Sequence, residues 1–154
     1  MKQTIKTAAP AVSVLALLLM QGCRTSIRPP EGVNPVERNL TVTAYCPCGK
    51  CCGWHRNWLG RPVHSSGPQK GQIKKVGITA AGTRARPGTI AADTRKYPFG
   101  TIMYIDGYGY GKVEDRGGGI KGNHIDLFFR YHNQAVEWGR QTKRVKIWFP
   151  RGKD

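Results

Sequence analysis

The chain has 154 residues, with 25 Lys or Arg against 9 Asp or Glu, a formal charge of +16, 39% hydrophobic residues, 20 Gly and 10 Pro. This composition is too apolar for a disordered chain and too poor in Gly and Pro for a low-complexity one. The length predicts one domain that buries roughly two thirds of its unfolded surface, and it excludes a second catalytic domain.

Lys2 and Lys6 precede an apolar stretch from Ala8 to Met20 that ends in Gln21, Gly22 and Cys23. The stretch falls short of the roughly 20 apolar residues a spanning helix needs, so residues 1–22 are predicted to be an export signal. Leu19-Met20-Gln21-Gly22-Cys23 resembles the lipobox of bacterial lipoproteins, which implies cleavage after Gly22 and acylation of Cys23. Simple cleaved secretion is the alternative. Arg24 after Cys23 carries no Asp-type retention signal, so in a diderm cell the expected location is the periplasmic face of the outer membrane.

Loss of residues 1–22 removes Lys2 and Lys6 and no acid, and the charge becomes +14. A basic field concentrates polyanions. Outside the cytoplasmic membrane these are envelope polymers such as peptidoglycan, and lipid headgroups, rather than nucleic acid. Residues 23–39 carry Pro29, Pro30 and Pro35 without apolar periodicity and are read as a tether. Residues 40–154 are read as the folded domain.

Leu40 to Tyr45 alternates and is rich in β-branched residues, the pattern of a half-buried strand. Further strands are predicted at Val76–Thr79, Thr89–Ala92, Thr101–Ile105, Lys112–Glu114, His124–Phe129 and Val145–Phe149. One helix is predicted over Tyr131–Arg140, with Ala135, Val136 and Trp138 as its apolar face and Gly139 near its end. These elements predict a mainly β domain, a small, mainly antiparallel barrel or sandwich.

Cys46, Cys48, Cys51 and Cys52 lie within seven positions. In an oxidising compartment the simpler expectation is two disulfides. The other is a tetrahedral zinc site built from the four thiolates, with His55 or His64 able to replace one of them. Thiol redox activity at Cys48 and Cys51 lacks its βαβ setting. Residues 117–122 satisfy the letters of a GxGxxG dinucleotide fingerprint, yet a strand pattern follows at His124 where that fingerprint requires a helix. The glycines are read instead as a loop that lets a bulky ligand, or another strand, approach the backbone.

Carboxylates are scarce, so their positions are informative. Asp93 ends the Thr89–Ala92 strand, Glu114 and Asp115 precede the glycine loop, and Asp126 lies within His124–Phe129. Alternation puts Ile125, Leu127 and Phe129 on one face of that strand and His124, Asp126 and Phe128 on the other. A carboxyl on an aromatic wall beside a like charge such as Asp115 suits a general acid.

The stretch Gly88–Asp93, then Tyr97–Thr101, then Glu114–Asp126 resembles the three-aspartate (3D) domain family, related to the catalytic barrel of membrane-bound lytic transglycosylase A. The resemblance implies a six-stranded double-psi β-barrel with one short helix. It also implies peptidoglycan lytic transglycosylase activity, with Asp126 as the catalytic acid and Asp115 and Asp93 as the other aspartates of the groove. Tyr45, Thr79, Gly82, Gly117, Gly118 and Lys121 are the candidate substrate contacts, and Tyr45, Trp54 or Trp58 can stack on sugar faces. No cofactor is expected beyond zinc at the cysteine cluster, and the chain is expected to be a monomer whose partners are glycan strands and, through Cys23, the membrane. Two other readings remain open: a non-catalytic, expansin-like peptidoglycan-binding lipoprotein, and an envelope metal-binding protein acting through the Cys46–Cys52 loop.

Overall fold

The computed structural model describes residues 27–150, so the signal segment and Cys23 lie outside the described residues. In chain order the elements are β1 (Val36–Tyr45), α1 (Gly49–Cys52), β2 (Trp54–Arg56), β3 (Pro62–His64), β4 (Thr89–Ala92), β5 (Ile102–Ile105), β6 (Gly109–Asp115), β7 (His124–Phe128), α2 (His132–Trp138) and β8 (Gln141–Trp148). Six of the strands close into a barrel in the order β1-β7-β4-β6-β5-β8, and β8 pairs back onto β1.

Two neighbouring pairs, β1 with β7 and β4 with β6, are parallel, and the other four are antiparallel. Exchanging β1 with β6, β4 with β7 and β5 with β8 maps this set of pairs onto itself. The barrel therefore has the internal twofold expected of two interlocked halves, in agreement with the double-psi expectation.

The interior follows from alternation. Leu40 and Val42, Ile90 and Ala92, Met103 and Ile105, Val113, Ile125 and Leu127, and Val145 and Ile147 form one buried cluster, so every barrel strand contributes. Tyr97, fully buried, joins the same cluster from the turn after β4. Gly111 is required by this packing, because a Cβ there would lie 2.6 Å from Ile90 Cδ1 and 2.9 Å from the Gly88 carbonyl oxygen.

Several expectations are corrected. β1 starts at Val36, inside the segment read as tether, because its first half pairs with β8 while leaving its side chains exposed. Such a strand shows no hydrophobic alternation to read. Val76–Thr79 is not a strand but part of a loop that is closed by a bridge between Ile78 and Arg84. The β2–β3 hairpin and the four-residue α1 were not anticipated, and the helices number two among the described residues. In α2 only Ala135 is buried, and Val136, expected on the apolar face, is 64% exposed.

Candidate active site

The parallel register of β1 and β7 sets Thr43 beside Asp126, and the antiparallel register of β4 and β7 sets Ala91 opposite it. With Ile125 and Leu127 in the barrel core, alternation turns Asp126 outward, half-buried, next to Phe128. Phe128 packs edge-on against Tyr45, with ring centroids 5.5 Å apart, and with Ala91 these two form a second apolar cluster. This is the aromatic wall that the alternation of β7 implied.

Thr43 Oγ1 donates to Asp126 Oδ1 at 2.7 Å and lies 2.8 Å from His124 Nε2. With the threonine proton directed at Asp126, the imidazole donates through Nε2, and the second carboxyl oxygen is left to carry a proton. Burial raises the Asp126 pKa above the ordinary carboxylate value; the Thr43 bond and His124 oppose this, and Asp115 adds to it. Asp126 makes no ion pair with Lys or Arg among the described residues.

Asp115 reaches the same groove through an irregularity. The β4–β6 register slips by one residue between Ile90 and Ala91, so that Ala91 faces Asp115 rather than Glu114. A slip of this kind re-aims side chains. Glu114 is buried and held by Lys112 Nζ at 2.8 Å, while Asp115 accepts bonds from Tyr45 Oη at 3.0 Å and from the backbone N–H groups of Ala80 and Arg116 at 2.9 Å each. Burial first, and then the Asp115 carboxyl, push the Tyr45 phenol far above its usual range, so it stays a donor.

Asp93 is placed differently. Arg95 donates to both of its oxygens, at 3.0 and 2.9 Å, and the Gly122 N–H donates at 3.1 Å. The Arg95 bonds first, and the Gly122 bond next, hold its carboxyl well below the usual range. Gly122 has φ +61°, a conformation suited to glycine, and Asp93 thereby fastens the end of the glycine loop.

Asp115, Asp126, Tyr45, Phe128, Gly117 and Gly118 line one groove of about 320 Å³. A second depression, holding Asp93, Arg95 and Lys121, shares Arg116, Gly117, Gly118 and Ile120 with it. On the other side a third, with Arg84, Arg86 and Arg130, shares Pro47, Gly77, Ile78 and Phe128. The result is a trough of three adjoining depressions with basic residues at both ends.

Not every sequence candidate joins it. Thr79 is buried and bonds Thr83, and Gly82 forms an exposed turn, so neither lines the trough. Trp54 faces a separate depression with Cys48 and His132, and Trp58, 89% exposed, sits outside the trough. Thr43 was missed, although its place opposite Asp126 follows once the β1–β7 register is known.

The cysteines are also rearranged from expectation. All four are free, and Cys46 and Cys51 Sγ lie 3.7 Å apart, against roughly 2.05 Å in a disulfide. Cys52 Sγ donates to the Cys46 carbonyl at 3.2 Å and faces the groove. The histidine beside the other three is His132 of α2, whereas His55 pairs with Ser65. His64 is not among the grouped ligands either.

Residues 88–149 match the 3D domain family. Two relatives from Bacillus subtilis (strain 168) are each 39% identical over 75 residues, 46% of this chain: the putative cell wall shaping protein YabE and the cell wall-binding protein YocH. This chain spans 18% of the first and 26% of the second. Among solved structures, MltA from Escherichia coli, described as having a lytic transglycosylase fold, aligns at TM-score 0.40 and 20% identity over 53% of this chain and 30% of its own. The lytic transglycosylase LtgG of Burkholderia pseudomallei aligns at TM-score 0.37 and 25% identity over 49% of this chain and 27% of its own. The family match runs from β4 to β8 and contains all three aspartates, Asp93, Asp115 and Asp126.

Proposed function

We propose that this protein is a peptidoglycan lytic transglycosylase of the cell envelope, with Asp126 as its general acid and base. The observation that carries this reading is Asp126 itself: half-buried on an aromatic wall, oriented by Thr43, free of a Lys or Arg ion pair among the described residues, and lining a groove that adjoins two further depressions. Ordinary glycoside hydrolysis uses two carboxyl groups, one to protonate the leaving oxygen and one to attack or to activate water. Of the three aspartates only Asp126 has the environment of a proton donor, since Asp93 is bound to Arg95 and Asp115 is occupied by three donors.

An intramolecular reaction needs one such group. Asp126 protonates the oxygen leaving C1 of N-acetylmuramic acid in the bond to N-acetylglucosamine. As carboxylate it then accepts the proton of that sugar's C6 hydroxyl, which attacks C1 and closes a 1,6-anhydro ring. The nucleophile is already part of the substrate, which supplies the proximity term. Asp115 stabilises the positive charge that develops at C1. Gly117 and Gly118 let the glycan lie against backbone, and the arginines and lysines at the trough ends suit the lactyl and stem-peptide carboxylates. Cys23 holds the enzyme to the membrane by its lipid. Cys23→Ser is expected to move the protein to the soluble fraction, and unchanged membrane partition with normal cleavage contradicts the anchor.

The name of the relative YocH favours a second reading, a module that binds the wall without cutting it. Incubation of the protein with purified sacculi separates the two. Release of soluble muropeptides supports the enzyme, whereas sedimentation with sacculi and no release supports the binding module.

A further inference from the structure

The cysteine segment contains an arrangement that the glycan chemistry does not use. Nδ1 of His132 lies 3.8 Å from Cys46 Sγ, 3.6 Å from Cys48 Sγ and 3.5 Å from Cys51 Sγ. All four ligand atoms fall within 4.8 Å of one another. A single N–H can point at one sulfur. One ring nitrogen nearly equidistant from three sulfurs is instead the geometry of donors that share a cation.

The dimensions identify the cation. Tetrahedral zinc, with Zn–S near 2.3 Å and Zn–N near 2.0–2.1 Å, has sulfur–sulfur edges of about 3.8 Å and sulfur–nitrogen edges of about 3.6 Å. The measured edges are 3.7 Å between Cys46 and Cys51, and 3.5 to 3.8 Å to His132. Three soft thiolates and an imidazole select zinc over the hard cations that prefer oxygen. The fold brings this set together from residues more than 80 positions apart: the loop after β1 supplies the sulfurs and the first residue of α2 supplies the nitrogen. Cys52 does not belong to it, because its sulfur is turned to the Cys46 carbonyl and the groove.

We propose that Cys46, Cys48, Cys51 and His132 bind one Zn(II) ion as a closed structural site that fastens the Cys46–Cys52 segment to α2. Four protein ligands leave no position for substrate or water, so the ion supplies structure rather than catalysis. The fastened segment contributes Pro47, Cys51 and Cys52 to the groove wall, and Tyr45, which bonds Asp115, immediately precedes it. The site therefore positions one side of the groove.

The test is elemental analysis of the full chain purified without chelator, together with its intact mass. One zinc per chain with four reduced thiols is expected. His132→Ala and Cys48→Ser should weaken zinc binding by more than the roughly 10- to 100-fold that loss of an outer-sphere partner costs, while Cys52→Ser keeps full stoichiometry. Should a ligand variant fail to fold, Co(II) titrated into the wild-type protein gives an independent reading: strong d–d bands in the red and thiolate-to-cobalt charge transfer in the near ultraviolet are expected. A pale six-coordinate cobalt spectrum overturns the proposal. So does a metal-free chain lighter by four hydrogens, or zinc retained in full by folded His132→Ala.

Discussion

Asp93, directly after β4, and Asp126, within the neighbouring β7, belong to one motif, yet their surroundings drive them in opposite directions. Asp93 receives two guanidinium bonds and a backbone N–H bond from Arg95 and one more from a glycine N–H, and its carboxyl is held well below the usual range. Asp126 receives one bond from a neutral hydroxyl and is pushed upward by burial. Identical side chains thus divide into a clasp and a group whose surroundings suit a proton carrier, according to what the strands bring beside them. In a chain with 25 basic residues, what marks Asp126 out is a half-buried carboxyl with neither a Lys or Arg ion pair nor a backbone N–H donor among the described residues.

The sharpest way to break this contrast is to neutralise each carboxyl. Asp126→Asn keeps shape and hydrogen bonding but transfers no proton, so muropeptide release should fall by roughly 10²- to 10⁴-fold, with folding and sacculus binding intact. Asp93→Asn should act on the loop instead: faster hydrogen exchange or proteolysis at residues 117–122, with a smaller loss of rate. A folded Asp126→Asn variant with full activity, or an Asp93→Asn variant that is the more severely impaired with an unperturbed loop, reverses the assignment. Asp115→Asn should fall between the two, since its role is electrostatic.

A gentler change acts on Asp126 through its partner. Thr43→Val removes the bond that favours the charged carboxylate, and a bond worth about 0.5–1.5 kcal/mol corresponds to at most about one pKa unit. The alkaline limb of the rate profile should therefore move to higher pH, with Thr43→Ser restoring it. Loss of rate without displacement of the limb would reduce Thr43 to a packing residue.

The smallest effect is on stability. A folded pKa raised above the unfolded value of about 3.9 means that the native state holds a proton which the unfolded chain has released. The contribution of Asp126 is therefore fully present below that value and is lost as pH rises through the folded one. Urea titrations at several pH values should show wild type losing stability relative to Asp126→Asn as pH rises across this window. A difference that grows in favour of wild type contradicts the raised pKa.

Local chemistry was legible in the sequence, and long-range pairing was not. Alternation at His124–Phe128 placed Asp126 on the outer face because a period of two is local, and the glycine-rich stretch read as a loop because no helix pattern follows it. The first half of β1 was unreadable, since a strand exposed along its side chains is held only by its backbone bonds to β8. Val76–Thr79 misled because Val76 and Ile78 serve a groove wall rather than a sheet. Thr43 and His132 act more than 80 positions away from their partners, and no local pattern encodes such a meeting. His55 and His64 are nearer in sequence, but the fold sets His132 beside the thiols.

The central claim is that one carboxyl suffices because the substrate attacks itself, and it is read most directly from the ends of the released glycans. Mass analysis of muropeptides liberated from sacculi by the wild-type protein should show 1,6-anhydro ends, lighter by one water than the hydrolysed product and resistant to borohydride reduction. Reducing ends in their place would mean that water is the nucleophile and that a second carboxyl activates it, which contradicts the account of Asp126 acting as the sole proton carrier.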